Sequence, residues 1–219
     1  ARRHSVTVCA VRDYCTQEVA EHTMALLLAS VRKLKVHEYR LEKDKVWAYK
    51  TAAPVYRLAG QTLVLFGFGR IGQAVAQRAR AFDLKIRAVD PYLPPEVARR
   101  CGVQLVTKEQ ALEEADLISN HMSVSAQTMA YFNWEFFEQL KRAPIFVNVA
   151  RGASVDENAL LHALETGKIR SAALDVLQNE QPDPQTNPLF QREDVIITPH
   201  AAFYSEQSIR ALQEISCDN

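Results

Sequence analysis

The chain is 219 residues long, 47% apolar, and balances 26 Lys and Arg against 26 Asp and Glu. That length and apolar content allow a sizeable buried core, in one large domain or two small ones, and the zero formal charge removes any bulk electrostatic argument for nucleic acid or an anionic membrane. The longest apolar run of the first helical segment, residues 24–29, is far short of a membrane span, and no charged-then-apolar signal opens the chain, so a cytoplasmic protein is expected.

In chain order, the first apolar run of strand length is residues 5–10. Residues 16–42 then read as one long helix with Val19, Leu26, Leu27, Val31 and Leu34 on or near one face. Residues 43–58 form a polar connector whose Trp47 and Tyr49 need a covering surface, on a partner subunit or on their own domain. From there, apolar runs at 62–66, 85–89, 103–106, 116–120, 145–149, 172–176 and 195–198 mostly alternate with segments of helical spacing, the pattern of a parallel α/β sheet. Helix ends are marked as well. Thr107 with Gln110 makes a capping box, Asp156 caps a helix over 158–166, and Gly167 suits the left-handed position after it. Cys9, Cys15, Cys101 and Cys217 are scattered and read as reduced thiols, and no two of the six histidines are spaced as a ligand pair, so no metal is expected.

The most telling segment is Gly67-Phe68-Gly69-Arg70-Ile71-Gly72, which holds three of the seven glycines of the chain and follows the run at 62–66. A buried strand must turn tightly into a helix there, glycine permits the dihedrals and a close approach to a pyrophosphate, and the first turn around Arg70 and Ile71 offers free N–H donors. Asp90 follows the next strand, eighteen residues after Gly72. Its carboxylate can accept hydrogen bonds from the adenosine ribose and would repel a 2′-phosphate, and no Arg directly follows it, which selects NAD(H) over NADP(H). The expected fold is a doubly wound Rossmann sheet with a long N-terminal helix.

Three further polar sites end apolar strands: Asn148 to Gly152 with Arg151, Asp175 followed by Glu180, and Thr198-Pro199-His200. Ligands of open parallel sheets bind beyond the carboxyl ends of the strands. Arg151 can hold a substrate carboxylate through its planar fork and polarise a ketone. Glu180, if hydrogen-bonded to His200, fixes its tautomer and favours the imidazolium, and His200 can then give a proton to an alkoxide or take it back. Together these groups suffice for reducing a 2-oxo acid beside a nicotinamide.

These residues, with Glu18-Val19-Ala20-Glu21-His22, Arg57-Leu58-Ala59-Gly60, Asp90-Pro91-Tyr92-Leu93, Val155-Asp156-Glu157 and Ala173-Leu174-Asp175-Val176, resemble the D-isomer-specific 2-hydroxyacid dehydrogenase family over nearly the whole chain. The resemblance implies a catalytic trio of Arg151, Glu180 and His200. It also implies a cofactor site of Gly67, Gly69, Arg70, Ile71, Gly72, Asp90, Ala150, Asp175 and His200, with Asp175 at the nicotinamide carboxamide. The stretch from Ala201 to Gln207 looks most like the C-terminal-binding-protein branch, whose animal corepressors carry Trp where this chain has Phe203. Other departures are Val64, Asp83 and Ala153 at positions where relatives often have Gly, and residues 119–125, which lack the usual proline; His121 reads as structural. If Asp83 must be left-handed it costs on the order of 1 kcal/mol.

By the same resemblance, residues 1–15 match the end of a substrate domain that is otherwise absent, 16–42 a linking helix, 43–204 the NAD-binding domain, and 205–219 the start of a second linking helix. Weak or absent turnover by this chain alone is the expectation, with a homodimer formed through the cofactor domains and first helix. The substrate, a small 2-oxo or 2-hydroxy acid, is not specified further by the sequence. An NAD(H)-sensing scaffold with little catalysis stands as the alternative to an enzyme.

Overall fold

The computed structural model describes residues 8–218. A seven-stranded, fully parallel sheet forms its centre, built from β1 (Thr62–Phe66), β2 (Lys85–Val89), β3 (Gln104–Leu105), β4 (Leu117–Asn120), β5 (Ile145–Asn148), β6 (Ser171–Leu174) and β7 (Val195–Ile197) in the spatial order β3-β2-β1-β4-β5-β6-β7. All seven runs expected from 62 onward are therefore strands, most trimmed by one or two residues. The expected run at 5–10 lies partly outside the described residues, and 8–10 carry no regular structure.

Alternation of side chains along each strand divides the core in two. Leu63 and Leu65 of β1, with Ile145 and Val147 of β5, pack beneath α1 (Thr16–Val31) and α3 (Arg70–Ala79). On the opposite face, Val64, Phe66 and Phe146 share a core with Leu112 of α5 (Lys108–Glu114), Phe136 of α6 (Trp134–Glu138), Leu160 of α7 (Glu157–Glu165) and Phe132 just before α6. Phe132 stands edge-on to Phe66, Phe136 and Phe146 at centroid distances of 5.3, 4.8 and 4.9 Å, an arrangement that favours aromatic pairs beyond their burial. α4 (Pro95–Arg100) joins β2 to β3, and α8 (Glu206–Asp218) follows β7.

The local signals hold. Thr107 and Gln110 form a reciprocal capping box on α5, Asp156 accepts from the amides of Asn158 and Ala159 at the start of α7, and Gly167 has φ +71°. Asp83 adopts φ 57°, so the conditional cost of a left-handed aspartate at this position applies.

The expected single helix over 16–42 is instead two. α1 ends at Val31, Lys33 takes φ 51°, and α2 (Leu34–Glu42) resumes with no buried residue. The break re-aims the second half toward the sheet edge, where Lys35 Nζ donates to the carbonyl oxygens of Arg192 and Val195 and Arg40 pairs with Glu193 at 2.8 Å. In the connector, Trp47 and Tyr49 are 90% and 82% exposed, so neither packs on its own domain. Among the described residues no helix is long and apolar enough to cross a membrane.

Candidate active site

The strand order reverses between β1 and β4, and the crevice beyond their carboxyl ends is where a doubly wound sheet binds its ligand. Gly67 leaves β1 at φ +86°, and a Cβ there would stand 2.8 Å from the carbonyl carbon of His121, which follows β4. Gly72 lies in the first turn of α3, where a Cβ would come within 2.6 Å of the Gly67 carbonyl oxygen. The turn therefore needs both glycines for its own packing. Gly69 differs, because its φ is −72° and a Cβ on it would meet nothing within 4 Å. Open space above a glycine that the fold does not require is the cradle a pyrophosphate needs. No side chain caps α3, so the first amides of the helix, including those of Arg70 and Ile71, are free to donate. The site fits a dinucleotide.

Asp90 braces this turn. Its Oδ2 accepts from the Phe68 amide at 2.8 Å and its Oδ1 from the Tyr92 amide at 3.0 Å. A carboxylate has about four acceptor positions, so capacity remains for ribose hydroxyls.

His200 and Glu180 meet at the rim beyond β6 and β7, with Nδ1 of the imidazole 2.8 Å from Oε2 of the carboxylate. The pair is exposed, 41% and 56% by side chain, and so is presented rather than packed. His200 holds φ +52°, a left-handed conformation that histidine adopts more readily than most residues but still at a cost. Asp175, only 1% exposed, holds the loop in place: it accepts from the Thr198 hydroxyl at 2.5 Å and from the amides of Ala201 and Ala202 at 2.9 Å each, while its carbonyl takes the His200 amide at 2.8 Å. The carboxylate expected at a nicotinamide thus also shapes the histidine loop.

Arg151 is set by a buried network that the sequence did not single out. Asn120 ends β4 opposite Asn148 at the end of β5. The Asn120 amide donates to Asn148 Oδ1 at 3.0 Å and to Ser154 Oγ at 2.8 Å, while Ser154 and Asn148 both donate to the Arg151 carbonyl, at 2.7 and 3.1 Å. Gly152 follows because a Cβ there would overlap the Leu177 carbonyl group. The guanidinium folds onto the Ala150 carbonyl at 2.7 Å, and the Ala150 amide donates to Asn148 Oδ1. Arg151, Glu180, His200, Ala150, Asp175 and Ile71 all line one open cleft of about 720 Å³, together with Tyr14, Cys15 and Phe203. Burial raises the pKa of the Tyr14 phenol and the Cys15 thiol, so both face Arg151 as neutral groups.

His121 walls the same cleft. Its Nε2 pairs with Ser119 Oγ at 2.9 Å, its Nδ1 is sealed without a partner, and burial lowers its pKa to about 4. The folded state therefore keeps the ring neutral where the unfolded chain, with an ordinary histidine, takes up a proton below about pH 6.5. This contribution to stability is complete above that pH, declines as pH falls toward 4, and totals on the order of 3 kcal/mol. His121→Gln, which keeps a partner for Ser119 and cannot titrate, should flatten the fall in urea midpoint between about pH 7 and pH 4; an unchanged slope would place the acid sensitivity elsewhere.

The family model described as D-isomer specific 2-hydroxyacid dehydrogenase, NAD binding domain, matches residues 24–202. The D-3-phosphoglycerate dehydrogenase of Methanocaldococcus jannaschii is 39% identical over 212 residues, which are 96% of this chain and 40% of that protein. The Bacillus subtilis D-3-phosphoglycerate dehydrogenase is 37% identical over 217 residues, 99% of this chain and 41% of that one. Among solved structures, the NAD-complexed D-isomer specific 2-hydroxyacid dehydrogenase of Lactobacillus delbrueckii superposes with TM-score 0.88 at 29% identity, covering 99% of this chain and 69% of that one. Aquifex aeolicus D-lactate dehydrogenase with NAD and lactic acid gives 0.89 at 28%, with the same coverage. The chain thus spans about two fifths of the length of these curated relatives. The glycine cradle, the sheet order and the span of the matching model agree: the chain belongs to the D-isomer specific 2-hydroxyacid dehydrogenase family, holds its NAD-binding domain, and has NAD as its cofactor.

Proposed function

We propose that this chain is the cofactor domain of an NAD-dependent dehydrogenase that interconverts a small 2-oxo acid and its D-2-hydroxy acid. The observation that carries the reading is the His200–Glu180 pair at 2.8 Å on the rim of the cleft that also holds Arg151. When bound, the nicotinamide supplies or removes the hydride. The glycine turn and the first amides of α3 hold the pyrophosphate, and Asp90 holds the ribose. Arg151 swings from the Ala150 carbonyl to the substrate carboxylate and polarises the ketone. Glu180 accepts from Nδ1 of His200, which leaves Nε2 to protonate the carbonyl oxygen during reduction and to recover the proton during oxidation.

The protein is assigned to the cytoplasm, where its four unpaired cysteines stay reduced. It pairs with a second copy through the connector that leaves Trp47 and Tyr49 exposed.

Titration with NADH and NADPH, followed by nicotinamide fluorescence and sedimentation, tests these points together. NADH should bind at least about tenfold tighter than NADPH, since Asp90 opposes a 2′-phosphate, and the protein should sediment as a dimer at tens of micromolar. Equal affinities would remove Asp90 from the ribose; a clean monomer would remove the dimer.

A further inference from the structure

We infer that Glu18 and His22 are positioning residues through which α1 clamps the loop carrying His200, an inference that takes its functional meaning from the proposed role of that histidine. Glu18 and His22 stand one helical turn apart and so share a face of α1. Each reaches a different end of the same loop. His22 Nε2 lies 2.9 Å from Thr198 Oγ1, and Glu18 Oε1 accepts from Ser205 Oγ at 2.8 Å.

The hydrogen-bond directions follow from the chemistry. The Thr198 hydroxyl has one proton, and it goes to the Asp175 carboxylate, which can only accept. Thr198 must then accept from His22, so Nε2 of His22 carries its hydrogen. The chain continues from Asp175 to the amides of Ala201 and Ala202, immediately after His200. At the other end, Ser205 Oγ also accepts the Ser208 amide at 2.9 Å, and the Ser208 hydroxyl returns to the Phe203 carbonyl at 2.6 Å. The loop from Thr198 to Ser205 is tied at both ends to α1.

His200 sits between the ties at φ +52°, and among the described residues its only side-chain hydrogen bond is to the exposed Glu180. A residue in that conformation relaxes unless its surroundings hold it. The packing duties of α1 fall to other residues: Val19, Ala20, Met24, Leu26, Leu27 and Val31 form its buried face. Glu18 and His22 are half-buried, and neither belongs to the lining of the reaction cleft. Their polar contacts therefore set where the imidazole points while the apolar stripe holds the helix.

The test uses the full chain and involves no turnover. Glu18→Met with His22→Leu removes both polar contacts at similar volume; Glu18→Gln with His22→Gln keeps an acceptor toward Ser205 and a donor at the reach of Nε2. Amide exchange at Ala201 and Ala202 should rise about tenfold in the Met/Leu variant, and the ring nitrogen resonances of His200 should shift or broaden, while exchange in β1 stays as it was. The Gln/Gln variant should match the parent. Unchanged exchange at Ala201 and Ala202 overturns the clamp, and so does an equal rise in β1, which would mean general loosening of the fold. If the double variant does not fold, Glu18→Met alone decides: a quiet Ser205–Ser208 segment in that variant also overturns it. Because exchange is read without substrate, absence of dehydrogenase activity would leave this outcome intact, and the two failures are distinguishable.

Discussion

Gly69→Ala is expected to leave the urea midpoint of the protein almost unchanged while weakening NADH binding by about tenfold or more, whereas Gly67→Ala should destabilise the fold by several kcal/mol. The two glycines sit two residues apart in one turn and differ in what surrounds them. At Gly67 an alanine would carry a Cβ at φ +86°, costing roughly 1–2 kcal/mol from the left-handed backbone alone. It would also press that carbon to 2.8 Å from the His121 carbonyl carbon and 2.9 Å from the Met122 amide nitrogen, backbone atoms held by β4 that cannot move aside cheaply. Against a total stability of about 5–15 kcal/mol, that is a large fraction. At Gly69 the backbone is ordinary and the Cβ points into open space, so the folded protein has no objection to it. Only a ligand approaching the turn would meet the added methyl. Equilibrium denaturation and NADH fluorescence on the two variants separate the effects, and normal NADH affinity in Gly69→Ala would mean that the pyrophosphate does not lie over this turn.

This contrast marks a boundary in what the sequence shows. The hexapeptide announces a dinucleotide turn, because strand, glycines, helix and Asp90 are all local in the chain. Which glycine serves the ligand and which serve the fold is not local. It depends on β4 bringing His121 beside Gly67, a contact across 54 residues. The central strands were legible for the same reason as the turn, because their signal is local: β1, β4, β5 and β6 are mostly apolar runs buried at every position, whereas β2 and β3 toward the sheet edge are partly exposed.

The break at Lys33 was not legible. No glycine or proline marks it, and it is stabilised by contacts of Lys35 and Arg40 with Arg192, Glu193 and Val195, more than 150 positions away. The support of Arg151 was hidden likewise. Asn120 and Ser154 look like ordinary polar residues at strand and loop ends until the β4–β5 register sets Asn120 opposite Asn148. The hydrogen bonds that give Asp175 its loop-shaping role were equally invisible, since they run to residues 23 to 27 positions further on.

In a form of the protein that turns over a 2-oxo acid, His200→Gln should lower kcat by about a hundredfold or more while NADH affinity stays within about threefold. Glutamine preserves much of the volume and can still hydrogen-bond Glu180, but it has no proton to give at the position of Nε2. Glu180→Gln should cost less, about tenfold, because the imidazole remains and loses only the carboxylate that orients it. The double variant is the stronger test. In the proposed reading Glu180 acts on the substrate only through His200, from which it is 2.8 Å away, so once His200 is gone the second substitution should add almost nothing. Additive losses would mean that Glu180 acts on the substrate or cofactor independently of His200. Retention of kcat within tenfold in His200→Gln would remove general acid catalysis from the reading altogether. Arg151→Lys provides a separate axis, since a single ammonium cannot reproduce the two-pronged grip on a carboxylate, and its loss should fall mainly on kcat/KM for the 2-oxo acid, by about a hundredfold. Loss on kcat/KM from Arg151 and loss on kcat from His200, with NADH binding intact in both, is the pattern that the proposed roles of these residues require.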